Sequence, residues 1–278
     1  IDTSIIGMSK RRPLDGWQVV AHRFHHKDVF SVEEANHFEH IEQRKWELVH
    51  DKKFILANAF IDLECHLSNI KTTLGDFIEA KRGVLLAKDS ISDKKTAQKN
   101  WRYFKGDVYR YELNEAFSWI AFGSGFKEGP KVETWYKGNR ILLRRLMSRA
   151  HRLMATIARG TFVTNKNLYI LKPKDNAVDL RLILGIVNSR LYSHLYSSRV
   201  SGAVKDDFPQ VTMSDLFVLP CPILGKIASS APTATVPATK IQSNSQSAVQ
   251  LRIATLVEKV LAEKAREGNT DTDRKSVV

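Results

Sequence analysis

The chain has 278 residues, room for one large domain or two ordinary ones, and at 43% hydrophobic residues it can close a real core, which excludes a disordered tail. Its formal charge of +13 points to an anionic partner such as nucleic acid or an acidic membrane. No apolar run reaches the ~18 residues of a bilayer span, and no signal peptide opens the chain. Two distant cysteines, Cys65 and Cys221, build no disulfide framework and set a reducing cytoplasm as the expected location. Ile1 in place of methionine predicts a fragment of a longer polypeptide.

In chain order, residues 31–49 read as a helix: Ser31 caps, Glu34 completes a capping box, and Phe38, Ile41, Trp46 and Leu48 supply the apolar side. The stretch "KKFILANAFIDLECHL" fits a helix or a strand, and periodicity leaves both open. "TTLGDFIEAKRGV" predicts a turn and then a short strand ending near Gly83, and residues 84–100 a polar loop. "WRYFKGDVYRYEL" is dense in aromatics and charges around a Lys105-Gly106-Asp107 turn, and "FGSGFKEGPK" is a glycine-rich connection. By spacing alone Ile141 to Ile157 could form a basic helix, with Leu142, Leu146, Leu153 and Ile157 inward. "DLRLILGIVNSRLYSHLY" is the clearest helix, capped by Asp179 and carrying Leu180, Ile183, Val187, Leu191 and Leu195 on one side. Residues 224–249, rich in Ser, Thr, Ala and Pro, read as a flexible linker. Residues 250–278 read as an amphipathic helix, with Ile253, Leu256, Val257, Val260 and Leu261 on one face, and a disordered tail after Gly268.

The charge is uneven. From Thr134 to Lys172 there is no acidic residue, while nine basic ones occur: Lys137, Arg140, Arg144, Arg145, Arg149, Arg152, Arg159, Lys166 and Lys172. Of the 43 lysines and arginines these nine leave 34 against 30 acidic residues elsewhere, so the surplus is local. Arginine forks bind phosphate or a guanine edge with two donors. Trp135, Tyr136, Phe162 and Tyr169 are interleaved, as contact with sugars and bases would use. A solvated face with no partner is the alternative.

Other motifs carry less. "AFGSGF" resembles a phosphate-holding glycine turn, but "KEGPK" follows where a helix is needed, and Glu128 and Glu133 come too early for the ribose-binding acid. Asp62 with Glu79 and Lys81 has the loose spacing of a metal-dependent nuclease site. His22, His25, His26, His37 and His40 lack the companions that would complete a metal site. No serine or cysteine stands in a nucleophile elbow. Asp206 and Asp207, adjacent behind Lys205, repel each other unless a cation or donors answer them.

Taken together, "LGDFIEAKRGV", "YFKGDVYRYEL", "NRILLRRL", "LMATIARGTFVTNKNLYILKP", "LILGIVNSRLYSHLY" and "KDDFPQVTMSDLFVLPCP" resemble, in order and spacing, a known specificity domain. It is the TaqI-like target recognition domain of adenine-N6 DNA methyltransferases and fused restriction–modification enzymes. The resemblance implies an α+β fold with a mixed sheet over residues 74–223, flanking helices, and strands instead of a basic helix near 141–157. Residues 1–73 would be the end of a catalytic domain and its helical connection, with the last helix packing near that connection. The asparagine-proline-proline-tyrosine motif and a cofactor motif are absent, so the fragment is expected to select DNA without methylating it, with S-adenosylmethionine needed only by the parent enzyme.

The implied partners are double-stranded DNA and the catalytic domain of the same polypeptide, with no membrane. The expected DNA-binding residues are Lys105, Asp107 and Tyr109 on one rim, Lys137, Arg140, Arg144, Arg145, Arg152 and Arg159 in the basic window, and Asn165, Lys166, Lys205, Asp206 and Asp207 elsewhere on the face. Asp206 or Asp207 would accept from a cytosine amino group or orient nearby arginines, a simple turn and cap being the alternative. Two other classes stay open: a metal-dependent nuclease using Asp62, Glu79 and Lys81, and a non-enzymatic basic adaptor for RNA or protein.

Overall fold

The computed structural model describes residues 16–23, 37–49, 54–55, 58–200, 210–222 and 239–267, and the chain divides into two units, Ile1–Lys71 and Thr72–Val278. In the first unit, β1 (Gln18–Arg23) pairs antiparallel with β2 (His37–Glu42), and α1 (Lys45–Leu48) and α2 (Asn58–Leu67) follow. Ile41, Trp46, Val49 and Ile61 form its core, and the Trp46 indole N–H donates to the carbonyl of Ile55 at 2.9 Å. The helix expected over 31–49 is thus corrected for its described part: residues 37–42 are a strand. A β1 ladder satisfies their backbone, and such tertiary pairing overrides a local apolar spacing. Ser31 and Glu34 lie outside the described residues. The stretch left open between helix and strand is helical from Asn58.

The second unit opens with α3 (Leu74–Phe77), held by a reciprocal cap between Thr73 and Asp76, and continues directly into β3 (Ile78–Arg82). There follow β4 (Leu85–Leu86), β5 (Trp101–Phe104), β6 (Asp107–Tyr109), β7 (Glu112–Asn114), β8 (Phe117–Ile120) and β9 (Phe126–Glu128). Then come β10 (Arg140–Arg144), β11 (Ala155–Ala158), β12 (Val163–Thr164) and β13 (Leu168–Pro173). The helices α4 (Leu180–Val187), α5 (Arg190–Arg199), α6 (Met213–Phe217) and α7 (Thr239–Glu267) complete it. The fold class is α+β, as expected. One sheet runs β11-β10-β13-β3, all antiparallel; a second runs β12-β5-β8 and contains a parallel pair.

The main core draws on both sheets, with Phe104, Ile120 and Val163 from one and Leu142, Leu168 and Ile170 from the other. In β10, Ile141, Leu142 and Leu143 are all buried, because α4 packs against β10 and β11 as well. A strand covered on both faces shows a continuous apolar run, which is why spacing alone could pass for a helix here. The start of the unit is sewn to the segment after α6: Thr72 Oγ1 donates to the carbonyl of Cys221 at 2.7 Å, and the Cys221 N–H donates back to the carbonyl of Thr72 at 2.9 Å.

Two helical expectations change. The segment Leu180–Arg199 is two helices, broken at Asn188-Ser189, because the buried Asn188 amide pairs with the backbone of Ala155 in β11, donating to its carbonyl and accepting its N–H, both at 2.9 Å. Ser189 then caps α5, accepting from Tyr192 N–H at 3.0 Å. The last helix starts at Thr239 and not near 250, so residues 239–249 of the expected linker are helical; 223–238 lie outside the described residues. α7 packs on α4, where Gly185 admits Ile253 and Val257; Leu256, expected inward, is exposed.

Candidate nucleic-acid interface

Three turns meet at one edge of the second unit. β5 and β12 run parallel, Tyr103 beside Val163 and Phe104 beside Thr164, so both strands end at the same place and release Lys105 and Asn165 as neighbours. Asn165 Nδ2 donates to the carbonyl of Phe104 at 3.3 Å, and its Oδ1 accepts from Asn167 N–H at 2.9 Å, which shapes the turn into β13. β10 ends opposite the start of β13, Arg144 beside Leu168, and Arg145 N–H donates to the carbonyl of Asn167 at 2.9 Å. Beneath them Gly83 passes so close that a Cβ there would stand 2.0 Å from the Asn165 carbonyl oxygen.

Side chains converge on this edge. Lys105 is exposed, its ammonium 3.0 Å from Asp93 Oδ1, which also accepts from Ser118 Oγ at 3.2 Å. The Lys105 hydrogen bond, helped by Ser118, holds the Asp93 carboxyl below the usual aspartate value. Asp107 Oδ1 takes its neighbour's N–H at 2.9 Å, and Oδ2 lies 3.1 Å from Arg144 Nη1. Arg145 turns the other way. Its Nη2 donates to Gln210 Oε1 at 2.9 Å, its guanidinium lies 5.9 Å from the Tyr169 ring, and its carbonyl accepts from Val211 N–H. Tyr169 Oη donates to the Val211 carbonyl at 3.1 Å, so the chain returns to this edge at Gln210. Lys205, Asp206 and Asp207, just before that return, lie outside the described residues. Lys166 is exposed, and its carbonyl accepts from Arg82 Nε at 3.0 Å. Tyr109 is half-buried in β6.

The remaining expected residues do not join them. Arg140 starts β10, about 14 Å from Arg144 at ~3.4 Å per residue, and is fully buried. Its Nη1 donates to the carbonyls of Gly138 and Gly160 at 2.9 and 2.8 Å, its Nη2 to that of Phe162 at 3.0 Å, and the guanidinium lies 4.3 Å from the Phe162 ring. Burial pulls its pKa down to about 10, still charged at neutral pH. Arg152 points inward, Nη2 to the Asn188 carbonyl at 2.9 Å and Nε to Ser193 Oγ at 3.4 Å. Lys137 and Arg159 are exposed and paired with Glu133 and Glu258. Lys172, outside the expected set, donates to the carbonyls of Thr134 and Lys137.

The basic window is therefore not one face. A stretch free of acids in sequence is supplied with them in space: Asp107 to Arg144, Glu133 to Lys137, Glu258 to Arg159. Sequence reasoning also missed Asp93, Arg82, Gly83 and Gln210. Only Gly83 carried a signal, as a glycine closing a strand.

Comparison with known proteins bears on what such an edge is for. Residues 101–221 match the TaqI-like C-terminal specificity domain. The resemblance read from the motifs is borne out there, and of the residues that build the edge, Arg82, Gly83 and Asp93 alone fall outside the match. A protein of Methanocaldococcus jannaschii named as a type II restriction enzyme and methyltransferase is 34% identical over 152 residues, which is 54% of this chain. The chain spans 13% of that relative's length. Among solved structures, a type I restriction–modification S subunit from M. genitalium is 17% identical with a TM-score of 0.32, covering 53% of this chain and 32% of its own. The HsdS subunit from Thermoanaerobacter tengcongensis is 14% identical with a TM-score of 0.35, covering 73% and 40%. The fold class rests on the strands and helices described above and not on these two likenesses.

Within the span that matches the TaqI-like specificity domain, the glycine turn Phe122–Phe126 leads into the strand β9, not a helix, so it lacks the helix N-terminus that a phosphate cradle uses. Asp62, in the first unit, accepts from Lys45 Nζ at 2.6 Å. Glu79 and Lys81 share the exposed side of β3. Among the described residues no three His, Cys, Asp or Glu side chains stand at metal-binding separations. No helix among them is long and apolar enough to cross a membrane.

Proposed function

We propose that the chain is the target recognition part of a DNA adenine-N6 methyltransferase or of a combined restriction enzyme, and that it reads double-stranded DNA at the edge where Lys105, Asp107, Arg144, Arg145, Asn165 and Lys166 meet. The observation that carries this is the convergence of three turns, bearing cations, an amide and a carboxylate, inside the span that matches the TaqI-like specificity domain. Chemically the set suits both tasks of such a surface. Exposed Lys105 and Lys166 supply phosphate contacts that set register. The Arg144–Asp107 pair, Arg145 and Asn165 hold donors and acceptors in fixed directions, as base-edge reading demands. Lys205, Asp206 and Asp207, a few residues before Gln210 in sequence, are assigned to DNA contact in this reading. Methyl transfer and S-adenosylmethionine belong to the catalytic domain of the parent polypeptide.

Titration against labelled duplex at several salt concentrations tests it. The wild-type affinity falls log-linearly with salt, and Lys166→Ala flattens that slope by about one unit for every duplex alike. Arg145→Ala costs about 1–3 kcal/mol, mainly on the cognate site. Arg159→Ala, far from the edge, leaves binding unchanged. Equal and negligible effects at Lys105, Arg145 and Lys166 contradict the assignment.

A further inference from the structure

Beside the edge lies a second group of cations that the basic window does not contain. Lys95 stands 5.4 Å from the ring of Trp119, Lys99 Nζ donates to the backbone carbonyl of Asp89 at 2.9 Å, and Arg102 lies 3.6 Å over the ring of Phe117. Their partners are neutral. A π face or a carbonyl restrains a cation without cancelling its charge, whereas Lys137 and Arg159 are answered by carboxylates. Arg102 has Glu115 only at 3.9 Å, with both side chains about half in solvent, where such a pair is weak. Among the described residues no carboxylate stands within ion-pair distance of Lys95 or Lys99.

The support beneath them is ordered. Ser92 and Trp119 exchange backbone hydrogen bonds at 2.9 and 2.7 Å, Ser92 Oγ closes a turn on Lys94, and the N–H of Lys99 donates to Thr96 Oγ1 at 2.9 Å. Trp119 is half-buried, Lys95 of this loop stands over its ring, and Arg102 is its cross-strand partner. Asp93, on the same loop, binds both Lys105 of the reading edge and Ser118 of β8.

We infer that Lys95, Lys99 and Arg102, on the loop before β5 and on the exposed part of β5 itself, form a sequence-blind phosphate strip that grips the duplex backbone flanking the recognised bases. The inference rests on the proposed reading of duplex DNA. Held cations lose little freedom on meeting a phosphate, and each neutralised phosphate releases condensed counterions.

Two duplexes test it, one trimmed to the recognised site and one extended by a helical turn on each side. The wild-type chain binds the extended duplex more tightly. The triple variant Lys95→Ala, Lys99→Ala, Arg102→Ala loses about ten-fold or more on the extended duplex, and its salt slope flattens by about two to three units. Its affinity for the trimmed duplex and its cognate-to-scrambled ratio stay at the wild-type level. The charge-keeping variant Lys95→Arg, Lys99→Arg, Arg102→Lys retains most of the affinity. An extension that gives the wild type no gain, or a triple variant that binds both duplexes normally, overturns the strip alone. Equal losses on both duplexes, or a charge-keeping variant as weak as the alanine one, assign these residues to the fold instead. A wild-type chain that binds neither duplex overturns the reading beneath it.

Discussion

At the start of β10 the guanidinium of Arg140 is enclosed by protein, its Nη1 and Nη2 donating to three backbone carbonyls and one face covered by Phe162. These carbonyls belong to Gly138, Gly160 and Phe162, so one side chain fastens the turn before β10 to the turn after β11. Hydrogen bonds to a charged donor contribute about 1.5–3 kcal/mol each, and losing several at once leaves buried acceptors unanswered. Arg140→Ala therefore destabilises the chain by about 3 kcal/mol or more, read as a lower urea midpoint. Loss of DNA affinity at unchanged stability would instead return Arg140 to the binding surface. Sequence could not separate this arginine from Arg144, four residues on. Both look like members of one charge run, and only the close approach of two glycine turns makes the first a structural clamp.

Elements decide how the reading edge is aimed. Gly83 is the floor under the Asn165 turn, and any side chain there must push that turn outward. Gly83→Ala is expected to cost stability and also cognate affinity, while Gly123→Ala, whose added Cβ meets nothing, leaves affinity unchanged despite the strain of its positive φ. Duplex titration of both variants checks this. At the N-terminus of α4, burial pushes the Asp179 carboxyl upward, but hydrogen bonds from Arg181 outweigh it and the net pKa is lowered. A folded pKa below the unfolded one lends stability that is present above the ordinary aspartate range and lost as pH falls through the folded value. Asp179→Ala accordingly costs about 1 kcal/mol at neutral pH and progressively less as the pH is lowered past that range, measured by urea unfolding at each pH. This cap was legible in the sequence, as was the Lys105-Gly106-Asp107 turn. The break at Asn188 was not, because its cause is a strand contributed from 33 residues earlier in the chain.

Across the whole molecule, the strands near 141–157 follow from the family resemblance, whereas the short strands β5 to β9 were not read from the sequence, because each is only three or four residues long and its partners lie elsewhere in the chain. The basic surplus was real, but its distribution was hidden. Net charge over a window says nothing about which acids the fold brings to it, and here Asp107, Glu133 and Glu258 come from outside the window to meet three of its cations. Arg145, Lys166, Lys95 and Lys99 have no carboxylate within ion-pair distance among the described residues, and sequence order does not join them.

The central claim, that this chain chooses a particular duplex sequence, is tested most directly by selection. The full chain is incubated with a pool of duplexes carrying a randomised centre, and the bound fraction is amplified and sequenced over successive rounds. Enrichment of one short motif is expected, which weakens when Arg145 is replaced by alanine and persists when Arg159 is replaced. A bound pool with the same base composition at every position as the starting pool, round after round, would contradict it and leave only a basic surface.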